Sequence, residues 1–302
     1  MNVLIVGLGS IAHKHIDAVR KINPNASVFA LRSGKVETEY VGVSNILDIK
    51  ELNEKPDFII ISNPTYKHKD AIDLVTSVNT PIFIEKPLAE SIIVAQEIRE
   101  SINSKNIINY VACNLRFHQC LQFVFDYLKN NQFIINEVNS YCGSYLPNWR
   151  PHIDFKQNYS ANEDMGGGVH LDLIHELDYI YWFFGLPLKV DKFLRKKSSL
   201  GINAVDYANY VLEYENFTAS VILNYYRQDT KRTCEIVCSD RTLIIDLLHN
   251  NVKLNDELLF SSNERISDTY LHQMNYFWSC IKENKQTLNT IDNALDVLKI
   301  CL

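Results

Sequence analysis

No stretch of this chain has the length of a membrane span. The N-terminal apolar run, Val3-Leu-Ile-Val6, stops at Gly7; it is too short for a signal-peptide core and has no basic region before it. The most apolar later stretch, Tyr179 to Leu188, falls far short of the ~20 residues that cross a bilayer. Paired cysteines are missing too. Seven stand at 113, 120, 142, 234, 238, 280 and 301, an odd number with no C-x-x-C spacing. Cys234 and Cys238 have no second metal pair nearby, which argues against zinc and for reduced thiols. There is no positive excess, the formal net charge being −6, so nucleic acid and anionic membranes are poor partners. The cluster Leu194-Arg-Lys-Lys197 reads as a solvated strand end. No internal repeat or low-complexity linker interrupts the chain. The expectation is a soluble cytoplasmic protein without a metal.

What is present is ample core: 302 residues, 46% hydrophobic and 22% charged, enough for two ordinary domains. The first hundred residues alternate. "NVLIVGLGSIAHKHIDAVRKI" predicts a buried strand, a glycine turn and a helix, because a short continuous apolar run fits a strand covered on both faces. "SVFALRS", "DFIIIS", "PIFIE" and "IINYVAC" predict further strands, with helices in "HKDAIDLVTSV" and "AESIIVAQEIRESI". Such alternation gives an α/β fold with a doubly wound parallel sheet. After residue 118 the rhythm changes: "FHQCLQFVFDYLKN" is helical, and residues 188–260 hold strand after strand. That pattern predicts an open antiparallel or mixed sheet in an α+β domain, before "TYLHQMNYFWSCIKEN" and "NALDVLKICL" return to helix. The reading is a dinucleotide-binding Rossmann domain, 1–118, and a substrate-binding and oligomerisation domain, 119–302.

Gly7-Leu-Gly9-Ser10-Ile11-Ala12 fits G-x-G-x-x-[GA]. The first glycine permits the turn and the second admits a pyrophosphate to the backbone. The small third residue lets helix pack on strand, with the helix N-terminus facing the phosphates. The motif follows a predicted strand and opens a helix, the context it requires. About twenty residues on, where an acidic residue would hold the ribose 2′-hydroxyl of NAD, stand Arg32 and Ser33, with Lys35 close behind. A guanidinium and a hydroxyl bind a 2′-phosphate that a carboxylate would repel, so NADP(H) is expected over NAD(H).

A second glycine-rich stretch, "GGGVHLDLIHELD", spans 166–178. His175 and Glu176 begin an H-E-x-x-H zinc motif, but Tyr179 stands where the second histidine belongs. His170, five residues before His175, falls on a different side of a helix. At about 100° per residue, Asp172, His175, Tyr179 and Trp182 share one side. Leu173, Ile174, Leu177, Ile180, Tyr181 and Phe184 make an apolar stripe on the other. At the end of the "PIFIE" strand, where an open α/β sheet binds its ligands, come Glu85-Lys86-Pro87. Pro87 restricts Lys86 to extended geometry.

Taken in order, Gly7-x-Gly9-x-x-Ala12-x-x-His15, Asn63-Pro64-Thr65 with His68, Glu85-Lys86-Pro87, "NLRFH" at 114–118 and His175-Glu-Leu-Asp178 resemble the Gfo/Idh/MocA family of oxidoreductases. The resemblance implies a Rossmann domain, a second domain on an open sheet often buried between subunits, a nicotinamide cofactor, and a sugar, cyclitol or related polyol substrate. It extends the cofactor-binding set from Gly7, Gly9, Ser10, Ile11, Ala12, Arg32 and Ser33 to Asn63, Pro64, Thr65, His68, Glu85, Lys86 and Asn114. The family's lysine falls on Lys86 and its helix histidine on His175. Its aspartate usually lies four residues before that histidine, where this chain has Leu171; Asp172 is three before. It implies a homo-oligomer, dimer or tetramer, through the C-terminal sheet.

Hydride transfer from a carbinol needs a base for the hydroxyl proton and positive charge beside the developing alkoxide. Histidine titrates near neutral pH and suits His175 as the shuttle; Lys86 would stabilise the alkoxide. Asp172 would orient the imidazole or bind a sugar hydroxyl. In "GSYLPNWRPH", 143–152, Trp149 could stack on a sugar and Arg150 clamp an anion; the loop could equally serve only for packing. Arg116 is similarly open, and Tyr179 shares the helix face of His175. The leading reading is an NAD(P)-dependent dehydrogenase or reductase of CH–OH groups on a sugar, nucleotide sugar or cyclitol. The alternatives are a nicotinamide-dependent hydrolase or lyase using transient oxidation, and a non-catalytic NADP-sensing regulator.

Overall fold

The computed structural model describes residues 1–34 and 39–302; Lys35, expected beside Arg32, lies outside them. In chain order the elements are β1 (Asn2–Val6), α1 (Ser10–Ile22), β2 (Ser27–Leu31), β3 (Val43–Ile46), β4 (Phe58–Ile61), α2 (His68–Val75), β5 (Ile82–Ile84), α3 (Ile92–Asn103) and β6 (Asn109–Val111). Then follow α4 (Gln119–Asn130), β7 (Ile135–Tyr145), α5 (Val169–Asp172), α6 (His175–Phe184), β8 (Lys189–Arg195), β9 (Tyr207–Glu213) and β10 (Thr218–Asn224). The chain closes with β11 (Tyr226–Cys238), β12 (Thr242–Asp246), β13 (Asn251–Leu254), β14 (Glu257–Ser261), α7 (Thr269–Lys282) and α8 (Ile291–Cys301). They form two compact units, residues 1–114, 266–300 and 302 in one, residues 115–265 and 301 in the other.

The first unit holds a six-stranded sheet in the order β3-β2-β1-β4-β5-β6, every neighbouring pair parallel. All four residues of β4 and all three of β5 are buried, as unbroken Ile and Phe runs require of strands covered on both faces. From β1 the chain winds out through β2 to β3 and resumes on the other side with β4. The carboxyl ends of β1 and β4 are therefore neighbours at a switch of direction, where open α/β sheets leave a crevice.

The late helix α7 packs into this unit rather than extending the second, unlike the continuous segment 119–302. The ring of Phe277 lies 5.5 Å from those of both Phe58 and Phe83 and 6.1 Å from that of Tyr110. The physical reason lies at the open edge of β6. Val111 N donates to Asn289 O, Asn289 Nδ2 returns a bond to Val111 O, and Ile291 N donates to Asn109 Oδ1. Residues 287–291 thus satisfy backbone groups that an edge strand otherwise leaves open to another chain.

The second unit is an eight-stranded sheet, β14-β13-β12-β11-β7-β10-β9-β8. Only β10 and β7 run parallel; the other pairs are antiparallel. Alternation sets the two faces: Ala208, Tyr210 and Leu212 of β9 are buried, as are Ala219, Val221 and Leu223 of β10. The opposite face carries exposed Phe193 and Val211. Leu194 and Arg195 are exposed at the end of β8, an edge strand, as the solvated reading of 194–197 anticipates.

Phe277→Ala should cost about 3–5 kcal/mol, read by urea unfolding. A loss below about 1 kcal/mol would show that α7 contributes little to the first unit.

Candidate functional site

The first unit carries a cavity of about 630 Å³ lined by Val6, Gly7, Leu8, Leu31, Arg32, Ser33, Gly34, Leu47, Asn63, Pro64, Lys67 and Leu74. Five residues expected at a dinucleotide, Gly7, Arg32, Ser33, Asn63 and Pro64, meet there. Gly7 has φ +89°, and a Cβ on it would lie 2.6 Å from Asn63 N and Cα. Only glycine allows both that backbone and that approach. Gly9 caps α1 with no side-chain hydrogen bond and nothing crowding its Cα, and Ser10 beside it is exposed. The helix N-terminus therefore keeps its first backbone N–H groups for an anion. Buried Ala12 closes the turn, and Ile11 is half-buried. Arg32 Nη1 donates to Asn45 Oδ1 at 3.0 Å, so the neighbouring strand β3 steadies the guanidinium. The crevice, its glycine turn and its cations suit the adenosine and pyrophosphate portion of a nicotinamide dinucleotide.

Beyond the cavity the expected residues divide. Lys86 is half-buried after β5 and joined to Pro87 by a cis peptide. Glu85 turns to the buried His15 of α1, Oε1 to Nε2 at 2.5 Å, while its Oε2 accepts from Lys86 N at 3.2 Å. Its carboxylate thus ties α1 to the Lys86 strand end. His68 is buried, with Nδ1 3.1 Å from Leu88 O and Nε2 3.0 Å from Asn63 O. Burial lowers its pKa against the pull of those carbonyls; the ring braces the loops after β4 and β5. Asn114 is buried and donates to Thr269 Oγ1 at 2.7 Å, fixing the start of α7. Half-buried Thr65 begins the turn that leads to His68.

In the second unit the glycine triplet has a local cause. A Cβ on Gly167 would lie 1.9 Å from the carbonyl oxygen of Tyr159, so the segment 159–162 leaves no room for a side chain there. The helix expected through 171–184 is broken. The four-residue α5 ends at Asp172, Leu173 takes φ −100° and ψ 26°, and α6 starts afresh at His175. Glu176 N donates to Leu173 O three residues back, a tighter turn than the α-helix allows. Angular reckoning at 100° per residue does not carry across this step. Tyr179 is fully buried, its hydroxyl 2.6 Å from Ser140 Oγ, and Trp182 stacks on Phe125 at 4.3 Å. Neither shares a polar face with Asp172, and Tyr179 is a core residue.

Asp172 accepts hydrogen bonds from two tyrosines that the sequence reading passed over, Oδ1 from Tyr159 at 3.0 Å and Oδ2 from Tyr225 at 2.5 Å. Burial first, and the Asp172 charge second, raise both phenol pKa values, so both hydroxyls remain donors. Tyr225 was legible in principle: it continues the inward alternation of Val221 and Leu223. The same tyrosines bring in the aromatic loop. Trp149 meets the Tyr225 ring edge-on at 5.4 Å and donates to Ser144 Oγ, and Arg150 lies 5.8 Å over the Tyr159 ring. Trp149, Arg150 and Asp172 therefore form one half-open cluster. His170 is buried nearby, and its burial drags its pKa down to about 4, which keeps it neutral near pH 7.

Arg116 is 2% exposed and forks onto Asp178, Nε to Oδ2 at 2.9 Å and Nη2 to Oδ1 at 2.7 Å. The Glu176 that suggested zinc is fully buried beneath the guanidinium of Arg232, which donates to Oε1 through Nε and Nη2 at 2.9 and 2.5 Å. Its neighbour His175 opens α6 half-buried. Among the described residues no group of three or more His, Cys, Asp or Glu side chains could hold a metal ion. Nor is any helix among them long and apolar enough to cross a membrane.

A glycine turn between a buried strand and a helix, at the switch point of a parallel sheet, defines a dinucleotide-binding type of fold. The family model described as an oxidoreductase family with an NAD-binding Rossmann fold matches residues 1–112, and the model of the same family's C-terminal domain matches residues 135–244. The chain belongs to the Gfo/Idh/MocA family. Among solved structures, it is similar to UDP-N-acetylglucosamine 3-dehydrogenase from Acidithiobacillus ferrooxidans at 16% identity and TM-score 0.80, covering 100% of this chain and 95% of that one. It is also similar to myo-inositol 2-dehydrogenase from Lactobacillus plantarum (20%, TM-score 0.82, covering 100% and 95%). Scyllo-inositol dehydrogenase from Lactobacillus casei, solved with bound NAD(H) and scyllo-inositol, matches at 18% and TM-score 0.81, covering 100% and 94%. These likenesses establish the fold. No curated protein matches the chain significantly by sequence.

Glu176→Gln strips the charge that compensates buried Arg232, and should cost about 3–5 kcal/mol. Chemical denaturation reads it; a neutral effect would mean that solvent already reaches the pair.

Proposed function

We propose that this protein is an NADP(H)-dependent oxidoreductase that moves a hydride between nicotinamide and a secondary alcohol of a sugar, nucleotide sugar or cyclitol. One observation carries the reading: in a chain of this family, the crevice at the sheet's switch point is walled by Gly7, Asn63 and Arg32. The bound dinucleotide would supply the hydride acceptor or donor. Arg32 and Ser33 take the 2′-phosphate of NADP(H), since the guanidinium held by Asn45 offers a charged fork where an NAD site needs a carboxylate. The solved relatives named for UDP-N-acetylglucosamine and inositols support the substrate class.

His175 takes the proton of the reacting hydroxyl, and returns it in the reverse direction. Lys86 holds positive charge against the alkoxide that develops. Asp172 anchors a polyol hydroxyl together with Tyr159, whose side chain is 40% exposed although its hydroxyl is held by the carboxylate. Trp149 offers a face to the sugar ring, and Arg150 an anion clamp for a substrate phosphate or carboxylate. The protein works in the cytoplasm, where its buried thiols stay reduced. A second copy of the chain covers the outer face of the eight-stranded sheet, where Phe193 and Val211 stand exposed.

With NADP⁺ and a panel of UDP-N-acetylglucosamine, myo-inositol and scyllo-inositol, one or more should drive formation of reduced nicotinamide, followed by its near-ultraviolet absorbance. His175→Asn and Lys86→Met should each lower kcat about 10²–10⁴-fold. If either variant turns over at the wild-type rate, the role given to that residue fails. Tighter binding of NADH than of NADPH would defeat the cofactor preference.

A further inference from the structure

The cavity has a second cation that the glycine motif and Arg32 do not account for. Strands β2 and β4 flank β1, so the turns that follow them stand on either side of Gly7. Arg32 comes from the first turn and Lys67 from the second, and both line the same cavity. They are the charged residues among its described lining residues, and none of those is a carboxylate. The root of Lys67 is firm: its N–H donates to Pro64 O at 2.8 Å, and its carbonyl accepts from Asn63 Nδ2 at 2.9 Å. Its ammonium lies 5.6 Å from the Tyr66 ring centroid. Leu8, Leu31, Leu47 and Leu74 supply the apolar remainder of the lining, the kind of surface that takes a purine ring.

We infer that Lys67 is a second specificity-determining residue for a dinucleotide bearing a 2′-phosphate. This rests on the reading of the cavity as the adenosine end of a nicotinamide site. A phosphomonoester carries about −2 charge near neutral pH, and one guanidinium balances only half of it. Arg32 gives a planar fork suited to two phosphate oxygens; Lys67 adds a compact charge on a flexible stem that can reach a third. A dinucleotide without the 2′-phosphate leaves both cations facing a hydroxyl, so the pair discriminates by charge rather than by shape. Arg32 alone would leave that discrimination half as strong electrostatically.

The test needs no identified substrate. Dissociation constants for NADPH and NADH are measured by nicotinamide fluorescence on the full chain, for wild type, Lys67→Gln and Lys67→Arg, at low and high salt. Lys67→Gln should weaken NADPH about tenfold, as loss of a charged hydrogen bond does, and change NADH by less than about twofold. Its NADPH affinity should also fall less steeply with salt than that of wild type, while Lys67→Arg keeps the preference. Because Lys67 is exposed, an unchanged melting temperature confirms that the variants are folded. Equal losses for both dinucleotides place Lys67 on a part common to them and overturn the inference. So does an unchanged NADPH affinity in a wild-type background that still prefers NADPH, and then the cofactor reading stands. A wild type that binds NADH as tightly as NADPH overturns the cofactor reading and this inference together.

Discussion

The contact between Gly7 and Asn63 is the constraint on which the rest of the first unit's site depends. A backbone atom of residue 63 stands where a Cβ of residue 7 would be, 2.6 Å away at closest, and Ser62 Oγ donates to Gly7 O at 2.8 Å. The carboxyl ends of β1 and β4 are thereby drawn together at the place where the sheet reverses its winding. Everything chemical in that unit hangs from this edge: Arg32 one residue beyond β2, Asn63 two beyond β4, Lys86 two beyond β5. The bare N-terminus of α1 points out of the same turn. A bulkier residue at position 7 would not merely narrow a pocket; it would part the strands whose ends build it.

Where the determinants were local, the sequence was enough. The apolar runs of β1, β4 and β5, the glycine turn and the cation after β2 each lie within a few residues, and each fell where the pattern put it. The strands that the pattern does not single out, β3 altogether and β13 and β14 within the strand-rich 188–260, are short and half-exposed, with one buried residue in β3 and one in β13. Their pairing is set by a neighbour rather than by their own composition. The placement of α7 escaped for a related reason. Nothing in "TYLHQMNYFWSCIKEN" says which apolar surface its amphipathic face will meet, and the deciding contacts, at Phe58, Phe83 and Tyr110, lie far earlier in the chain.

The site residues divide along the same line. Arg116, Tyr179 and Glu176 looked like chemistry because their types are chemical. Their partners, Asp178, Ser140 and Arg232, lie 62, 39 and 56 residues away, and each ties a reactive-looking side chain into the buried interior. His15 and Glu85, 70 residues apart, show the same effect. The break at Leu173 is subtler, since the chain there has no proline or glycine to announce it. It coincides with Asp172 being held from two sides by tyrosines of other segments, and a helical wheel contains no such information. The one-residue displacement of that aspartate from the family's usual spacing now has a setting: a short helix, a step, and a new helix.

The seam along β6 has a consequence for how the protein is made. On a ribosome the six strands of the first sheet emerge before residue 115, yet the backbone groups of Asn109 and Val111 find their partners only when residues 287–289 appear. During that interval of roughly 180 further residues, some ten to forty seconds at ordinary elongation rates, a parallel sheet waits with an open margin. The continuous segment 115–265 is fully synthesised first and can consolidate while the earlier sheet is still incomplete. Exposure of that margin, rather than any weakness of the finished core, is therefore where a nascent chain is most open to mispairing with its neighbours and most in need of a chaperone's cover.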